Sequence, residues 1–511
     1  MKIKHIHIEN FKSIKNLDIN FPENNLLILT GHNNAGKSNI VRAIDLICGE
    51  NWKKPSDLNN NDYYLRDINK NIKIELKFDN GKIAIFDTDF KDVTGKQDKW
   101  CVRYYNNSND KFNNKRIYTT NIKDDFPCIY LGADRDFEKQ TSFFNYSLLG
   151  KIKREFSKKA KAQEEKLKKN FAELNEIYEE VDGFKNFKKK FSNYFQSMQA
   201  DAPVKLELDF KCFTPNNYFS NINILAKDPD QDDDYNLDLC ELGEGSKNIA
   251  LISLLRSYAD SFKGESGILI LEEPELFLHP QARRHLFSQL KELAKSGFQV
   301  IISTHSNSFI ETELFESIGQ VFKTEDEENS GKTNTKLILN TKQKFVNFCI
   351  DSGVPVDKTN VGNICEFYSL LPDNKITEGF FARTIILTEG DTEEYCLPLF
   401  LKHADFDCNL NNVSVLGVSG KNQLPKYWRL FNQFNAPVIC CFDNDQNEEK
   451  VASNNNLLKC FNEKKENIFF SDTPFKIVDS KIKINDNTIK KRLLIFKRDY
   501  ETALKEDFKK S

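Results

Sequence analysis

The chain has 511 residues, a formal net charge of −3 and a hydrophobic fraction of 39%. That length exceeds the roughly 250–300 residues over which a single core usually grows, so more than one domain is expected. The near-zero charge excludes attraction of nucleic acid by the molecule as a whole, leaving it to local basic patches, and twelve scattered cysteines without C-x-x-C spacing argue against a disulfide framework or a zinc site.

In chain order, alternating or continuous apolar runs predict strands at Ile3 to Ile8, Leu17 to Phe21 and Leu26 to Thr30. The last runs straight into Gly31-His32-Asn33-Asn34-Ala35-Gly36-Lys37-Ser38, and Lys37 to Cys48 then has helical spacing. Short alternating runs over 72–130, separated by Asn, Asp and Gly, predict a mainly β lobe. Over 148–200, Leu167, Phe171, Leu174, Tyr178 and Val181 recur at spacings of four and three, an amphipathic helical stripe suited to a neighbouring helix within the chain or across a dimer. Residues 226–239 are acidic and polar and read as a loop. A helix is expected at Leu251 to Tyr258, a buried strand at Gly267 to Leu271, a helix at Gln281 to Ala294 and a buried strand at Phe298 to Ser303. The polar stretch Thr324 to Thr335 reads as a solvated loop or hairpin tip. A second α/β unit begins near Thr384, with strands at 384–388, 413–418 and 437–442. No apolar run reaches the roughly 18 residues of a membrane span and no signal-peptide pattern opens the chain, so a cytoplasmic protein without a membrane partner is expected.

Strand, glycine loop and helix is the context in which backbone N–H groups turn towards phosphates. Gly31, Asn34 and Gly36 shape that loop, Lys37 neutralises β and γ phosphates, Ser38 ligates magnesium, and Asn39 follows in the nucleotide site. Ile268-Leu269-Ile270-Leu271-Glu272-Glu273-Pro274 is an apolar strand ending in two acids: Glu272 for magnesium, Glu273 for the attacking water. The strand Val300 to Thr304 delivers His305, suited to sensing a γ-phosphate. Gly243-Glu244-Gly245-Ser246, ahead of a helix, offers backbone donors to a phosphate from another side.

This order of P-loop, glycine-rich signature, double-acid strand and Ser-Thr-His resembles the ABC-type ATPases of the SMC and RecF group. The resemblance implies ATP as cofactor and a dimer in which Ser246 of one subunit faces Lys37 of the other. The signature here is Gly-Glu-Gly-Ser, where transporters carry Ser-Gly-Gly-Gln.

In the second unit, Ile385-Ile386-Leu387-Thr388 leads to Glu389, with Glu393 four residues on across a glycine turn. Asp443 and Asp445 are alternate residues at a strand end and point to one side. Clustered carboxylates repel unless cations neutralise them, and magnesium or manganese favours such oxygen ligands. With the small-residue segment Gly417-Val418-Ser419-Gly420 between, this order resembles the Toprim domain of topoisomerases, primases and certain nucleases. An ABC-type ATPase followed by Toprim resembles the OLD-family nucleases, the group that includes the large subunit of the Gabija anti-phage system. The resemblance extends to Ala133-Asp134-Arg135-Asp136, implying Arg135 near the nucleotide, and to Asp499-Tyr500-Glu501, implying Glu501 as a further metal ligand. Family members continue into helices that supply a lysine to the nuclease centre, whereas this sequence stops ten residues after Glu501.

The fold class expected is therefore α/β: an ABC-type P-loop ATPase domain with a helical insertion, then a C-terminal Toprim domain of Rossmann-like α/β type. The boundaries are 1–147 and 201–345 for the two parts of the ATPase, 148–200 for the insertion, 346–380 for a linker and 381–511 for Toprim. The function expected is an ATP-regulated, metal-dependent DNA endonuclease in defence against phage or plasmid DNA, with DNA, a second copy of the chain and a helicase-like protein as partners. The alternative is an ATP-driven DNA-binding sensor or assembly subunit whose Toprim domain does not cut. Strand passage, as in topoisomerases, requires a domain with a catalytic tyrosine, and no segment reads as one.

Overall fold

The computed structural model describes residues 1–49, 53–91, 95–96, 101–113, 128–133, 147–163, 165–166, 169–170, 173, 177, 183–198, 219, 224–227, 236–238, 241–258, 261, 267–369, 376–434, 437–443, 468–471 and 493–496. The chain divides into two compact units, residues 1–133 with 265–511, and residues 134–264.

The first unit opens with an antiparallel sheet in which Ile3–Phe11 pairs with Ile14–Asn20 on one side and Lys73–Phe78 on the other, followed outward by Ile83–Asp87 and Val102–Tyr105. Of the β lobe expected over 72–130, the strands from Lys73 to Tyr105 form the outer part of this sheet, whereas Ser108–Phe112 is a short helix, 114–127 lie outside the described residues and Cys128–Leu131 joins the second sheet. A second sheet has Leu26–Thr30 near its centre, with parallel neighbours Gln299–Ser303 and Ile318–Asp326; beyond Gln299–Ser303 lie Ile268–Glu272 and Cys128–Leu131, also parallel. Every residue of Leu26–Thr30, Ile268–Glu272 and Gln299–Ser303 is buried, which is why these strands read as continuous apolar runs. The helix Lys37–Cys48 packs between the two sheets: Ile40, Val41, Ala43, Ile44 and Ile47 share one core with Ile6 and Ile8 of the first sheet and Leu27, Leu29 and Ile301 of the second. Apolar residues at spacings of three and four on one short helix give it faces for both sheets.

Of the two readings of the polar stretch 324–335, the hairpin tip holds and the open loop is corrected, since Ile318–Asp326 pairs with Asn329–Ile338. Its buried polar residues Asp326, Asn334 and Thr335 stay in the sheet because each finds a polar partner. Asp326 accepts from Tyr64 Oη at 2.8 Å, Lys15 Nζ at 2.8 Å and Asn329 Nδ2 at 2.7 Å, while Asn334 Oδ1 accepts the Lys15 N–H at 2.9 Å.

Helices Lys342–Asp351 and Val361–Ser369 then carry the chain into a five-stranded parallel sheet. Its order is Val413–Gly417, Thr384–Thr388, Val438–Asp443, Leu493–Phe496 and Ile468–Ser471. The helix Asp391–His403 packs Leu397 and Leu401 against Ile386, Val413 and Cys441. The helix Leu424–Phe431 buries Leu424, Tyr427, Trp428, Leu430 and Phe431 and contacts the strands at 384–388 and 438–443. The fold is thus α/β: a half built on one antiparallel and one largely parallel sheet around the glycine loop, followed by a five-stranded parallel sheet.

In the second unit, helices Leu148–Ala160, Phe184–Met198 and Glu244–Tyr258 are described. The loop expected at 226–239 contains a further correction, since Leu225–Lys227 and Asn236–Asp238 pair as two short antiparallel strands whose backbone pairing needs no apolar pattern. The stripe residues Leu167, Phe171, Leu174, Tyr178 and Val181 lie outside the described residues.

Candidate nucleotide and metal centres

The parallel strands of the ATPase sheet deliver their chemistry at one edge. Glu272 pairs in register with Ser303, and Ser303 with Leu29, so the double acid, His305 and the P-loop all follow the carboxyl ends of neighbouring strands. This is where open α/β sheets place ligands.

Lys37 is 5% exposed, and its Nζ donates to the carbonyls of Gly31 at 2.8 Å and His32 at 3.0 Å. Burial lowers its pKa to about 8, against the opposing pull of Glu273 and Glu275. Gly31 and Gly36 adopt φ values of 130° and 113°. A Cβ on Gly31 would stand 2.1 Å from the Val321 carbonyl oxygen, so backbone crowding as well as conformation demands glycine there. The loop is braced from behind: Thr335 Oγ1 donates to Ala35 O at 2.9 Å and meets Ser13 Oγ at 2.7 Å, and Asn39 Nδ2 donates to Ser13 Oγ at 2.7 Å. Asn39 therefore secures the loop through Ser13. Ser38, partly exposed, opens the helix beside Lys37.

Glu272 is buried, with Oε2 accepting from Tyr130 Oη at 2.9 Å and Oε1 buried without a hydrogen bond. Burial and the Glu272 charge push the Tyr130 phenol upward. Glu273 adopts a left-handed φ of 47°, its N–H fixed on Ser303 O at 2.6 Å. Such a conformation costs on the order of 1–3 kcal/mol in a non-glycine residue and turns the side chain away from the strand direction. His305 has its pKa lowered to about 4 by partial burial first, then by the positive charges of Lys37 and His32. Lys37 thus lies within electrostatic reach of Glu273, Glu275 and His305.

Sequence reasoning missed Glu275. Its Oε1 accepts from Thr304 Oγ1 at 2.9 Å and from the His305 N–H at 2.7 Å, so a buried carboxylate two residues past Glu273 fixes the backbone of the histidine turn. No periodicity marks it, because it sits in a turn after Pro274. Of the signature, Ser246 and Lys247 donate their N–H groups to Gly243 O at 2.9 and 3.1 Å, and Gly245 lies within the first turn of the helix Glu244–Tyr258. Arg135 lies outside the described residues.

In the Toprim sheet, Thr388 pairs with Cys441, so Glu389 follows one strand at the level of Phe442 and Asp443 closes the adjacent parallel strand one residue further on. Glu389 Oε2 is buried without a hydrogen bond and lies 3.9 Å from Lys421 Nζ. Glu393, 7% exposed, turns its Oε2 back to the Gly390 N–H at 3.2 Å, a capping contact that settles the helix start. Gly417 lets this loop approach: a Cβ there would stand 3.0 Å from the Gly390 carbonyl oxygen and 2.6 Å from Glu394 Oε2. Asp445 and Glu501 lie outside the described residues, and among the described residues no three acidic, histidine or cysteine side chains gather at one metal position. The buried Glu389 and Glu272 oxygens that lack a hydrogen bond are nonetheless hard donors of the kind magnesium and manganese satisfy, so the residues present fit divalent ions at both centres.

Lys421 is a second residue that sequence reasoning did not find. It is buried, and its Nζ donates to the Asp443 carbonyl at 2.5 Å. Only its place one residue after the Gly417–Gly420 segment marked it.

Residues 1–126 and 103–310 match the AAA ATPase domain family, and residues 380–445 match a family described as overcoming lysogenization defect protein-like, TOPRIM domain. An OLD nuclease of Thermus scotoductus is 24% identical over 476 residues, covering 87% of this chain and 82% of its own length. The Old nuclease of Escherichia phage P2 is 25% identical over 470 residues, covering 84% and 75% respectively. The endonuclease GajA of Bacillus cereus is 24% identical over 434 residues, covering 76% of this chain and 55% of its own.

Proposed function

The chain belongs to the AAA ATPase domain family, in the OLD-type arrangement that joins this ATPase to a Toprim domain, and from that premise we propose an ATP-regulated, divalent-metal-dependent DNA endonuclease acting in defence against phage or plasmid DNA. The observation that carries the reading is that Glu389 and Asp443 stand at the carboxyl ends of adjacent parallel strands, with Lys421 Nζ 3.9 Å from Glu389 Oε2 and bonded to the Asp443 carbonyl, in the same compact unit as Lys37, Glu273 and His305.

In the ATPase, Lys37 holds the β and γ phosphates, Ser38 and Glu272 hold magnesium, and Glu273 orients the attacking water while His305 reads the γ-phosphate. Ser246 and its glycine neighbours complete the site of a second subunit. In the Toprim domain, Glu389, Glu393, Asp443, Asp445 and Glu501 hold magnesium or manganese. A divalent ion bound there supplies charge neutralisation and water activation at a DNA phosphate. ATP occupancy sets the geometry of the dimer and so the access of DNA to these acids.

The test is plasmid nicking by the purified chain with magnesium or manganese, with and without ATP, beside Asp443→Ala. Cleavage should fall by about 100-fold or more in the mutant, at or beyond the upper end of the roughly 10–100-fold range for outer-shell partners of a metal. ATP hydrolysis should persist. Equal cutting by mutant and parent would remove the Toprim acids from the reaction.

A further inference from the structure

The turn after Val413–Gly417 is tied to the turn that follows the neighbouring strand Thr384–Thr388. Ser419 (φ 59°) and Gly420 (φ 125°) reverse the chain there; Val418 N–H bonds Thr388 O at 3.0 Å and Gly420 N–H bonds Glu389 O at 2.6 Å. Lys421 follows immediately, 7% exposed. Its Nζ donates to Asp443 O at 2.5 Å, lies 3.9 Å from Glu389 Oε2 and stands 5.6 Å from the centre of the Phe442 ring. A buried ammonium is costly unless it is paired. Here the carboxylate of one acid-bearing strand end and the main chain of the other face it.

We propose that Lys421 is a positioning residue of the nuclease centre, holding the Glu389 carboxylate and the end of the Asp443 strand in one place for a divalent ion. The proposal rests on the reading of these acids as metal ligands. A single cation bridging the two strand ends offsets the repulsion of carboxylates gathered before the ion arrives. Its ammonium also keeps the Glu389 oxygen directed inward, the role that outer-shell partners play at metal sites.

The test is manganese binding to the full chain without nucleotide, followed by electron paramagnetic resonance of the free ion. The proteins compared are the parent, Lys421→Met, Lys421→Arg and Asp443→Ala. Lys421→Met should raise the dissociation constant by about 10–100-fold, with Lys421→Arg intermediate. Binding by Lys421→Met as tight as in the parent, or tighter, overturns the proposal, since the ammonium would then ignore the ion or compete with it. Identical binding by the parent and Asp443→Ala would instead sink the metal-centre reading, and Lys421 with it. Circular dichroism checks folding; where the methionine variant does not fold, Lys421→Gln takes its place under the same criteria.

Discussion

Burial shifts both Lys37 and His305 downward, and neighbouring charges oppose the shift at Lys37 and reinforce it at His305. Lys37 is lowered to about 8 by burial, with Glu273 and Glu275 opposing; His305 is lowered to about 4, with Lys37 and His32 contributing. A histidine whose folded pKa lies below its ordinary 6.5 gives stability that is complete above about pH 6.5 and is lost as pH falls through about 4. Its imidazole is therefore neutral throughout the physiological range. An NMR titration of His305 should show a midpoint near 4, and ATP turnover should show no limb between pH 6 and 8 that disappears in His305→Asn. A midpoint near 6.5 would mean that the ring is neither desolvated nor faced by Lys37. His305 was legible because a buried strand runs into it. Glu275, which fixes its backbone, was not, because a carboxylate in a turn looks like any solvated acid until Thr304 and the His305 N–H are seen to point at it.

At the scale of elements, continuous apolar runs located the parallel strands closely: Leu26–Thr30 and Thr384–Thr388 coincide with the expected bounds. The reason is physical, since a strand covered on both faces has no solvated side to break its run. The polar hairpin 318–338 escaped the same logic because its stability comes from cross-chain polar partners at Lys15 and Tyr64. Gly417 shows an element-level constraint of another kind, the close approach of two turns. Gly417→Val would place a branched side chain against the Gly390 carbonyl and Glu394, displacing the loop that carries Glu389. A displacement of about 1 Å costs about 100-fold in a positioned reaction. Plasmid cleavage should fall by that order while ATP hydrolysis stays within about twofold of the parent, and loss of both together would show that the valine had disrupted more than this turn.

For the whole molecule, a cavity of about 370 Å³ is lined by P-loop residues 31–35, strand residues 320–323, and Arg383, Asn412 and Pro437 of the Toprim domain. Those three residues lie just before strand starts, whereas Glu389 and Asp443 follow or close the other strand ends. The P-loop thus meets one end of the Toprim strands and the acids occupy the other, about six residues or roughly 20 Å away from Arg383 to Glu389 along a strand. The split signature also calls for self-association, and exposed Phe187 and Phe191, one turn apart on the helix Phe184–Met198, offer apolar surface for it. Light scattering should give a dimeric or larger mass, strengthened by ATP; a monomeric mass in both states would count against it. Among the described residues no helix is long and apolar enough to cross a membrane.

The sequence by itself determined the order in which the candidate residues come: glycine loop, a signature turn opening a helix, double acid, histidine, then Glu389 and Asp443, all but the signature at the end of a run whose apolarity announced a buried strand. Local spacing suffices there because a strand-end residue is placed by its own neighbours. Only the tertiary structure decided which polar groups hold those residues in place. Glu275 behind His305, Tyr130 on Glu272, Ser13 and Thr335 behind the P-loop, and Lys421 between Glu389 and Asp443 are partners brought together by the sheet order. Their contacts depend on strand neighbours far apart in the chain, and no local pattern in the sequence carries that information.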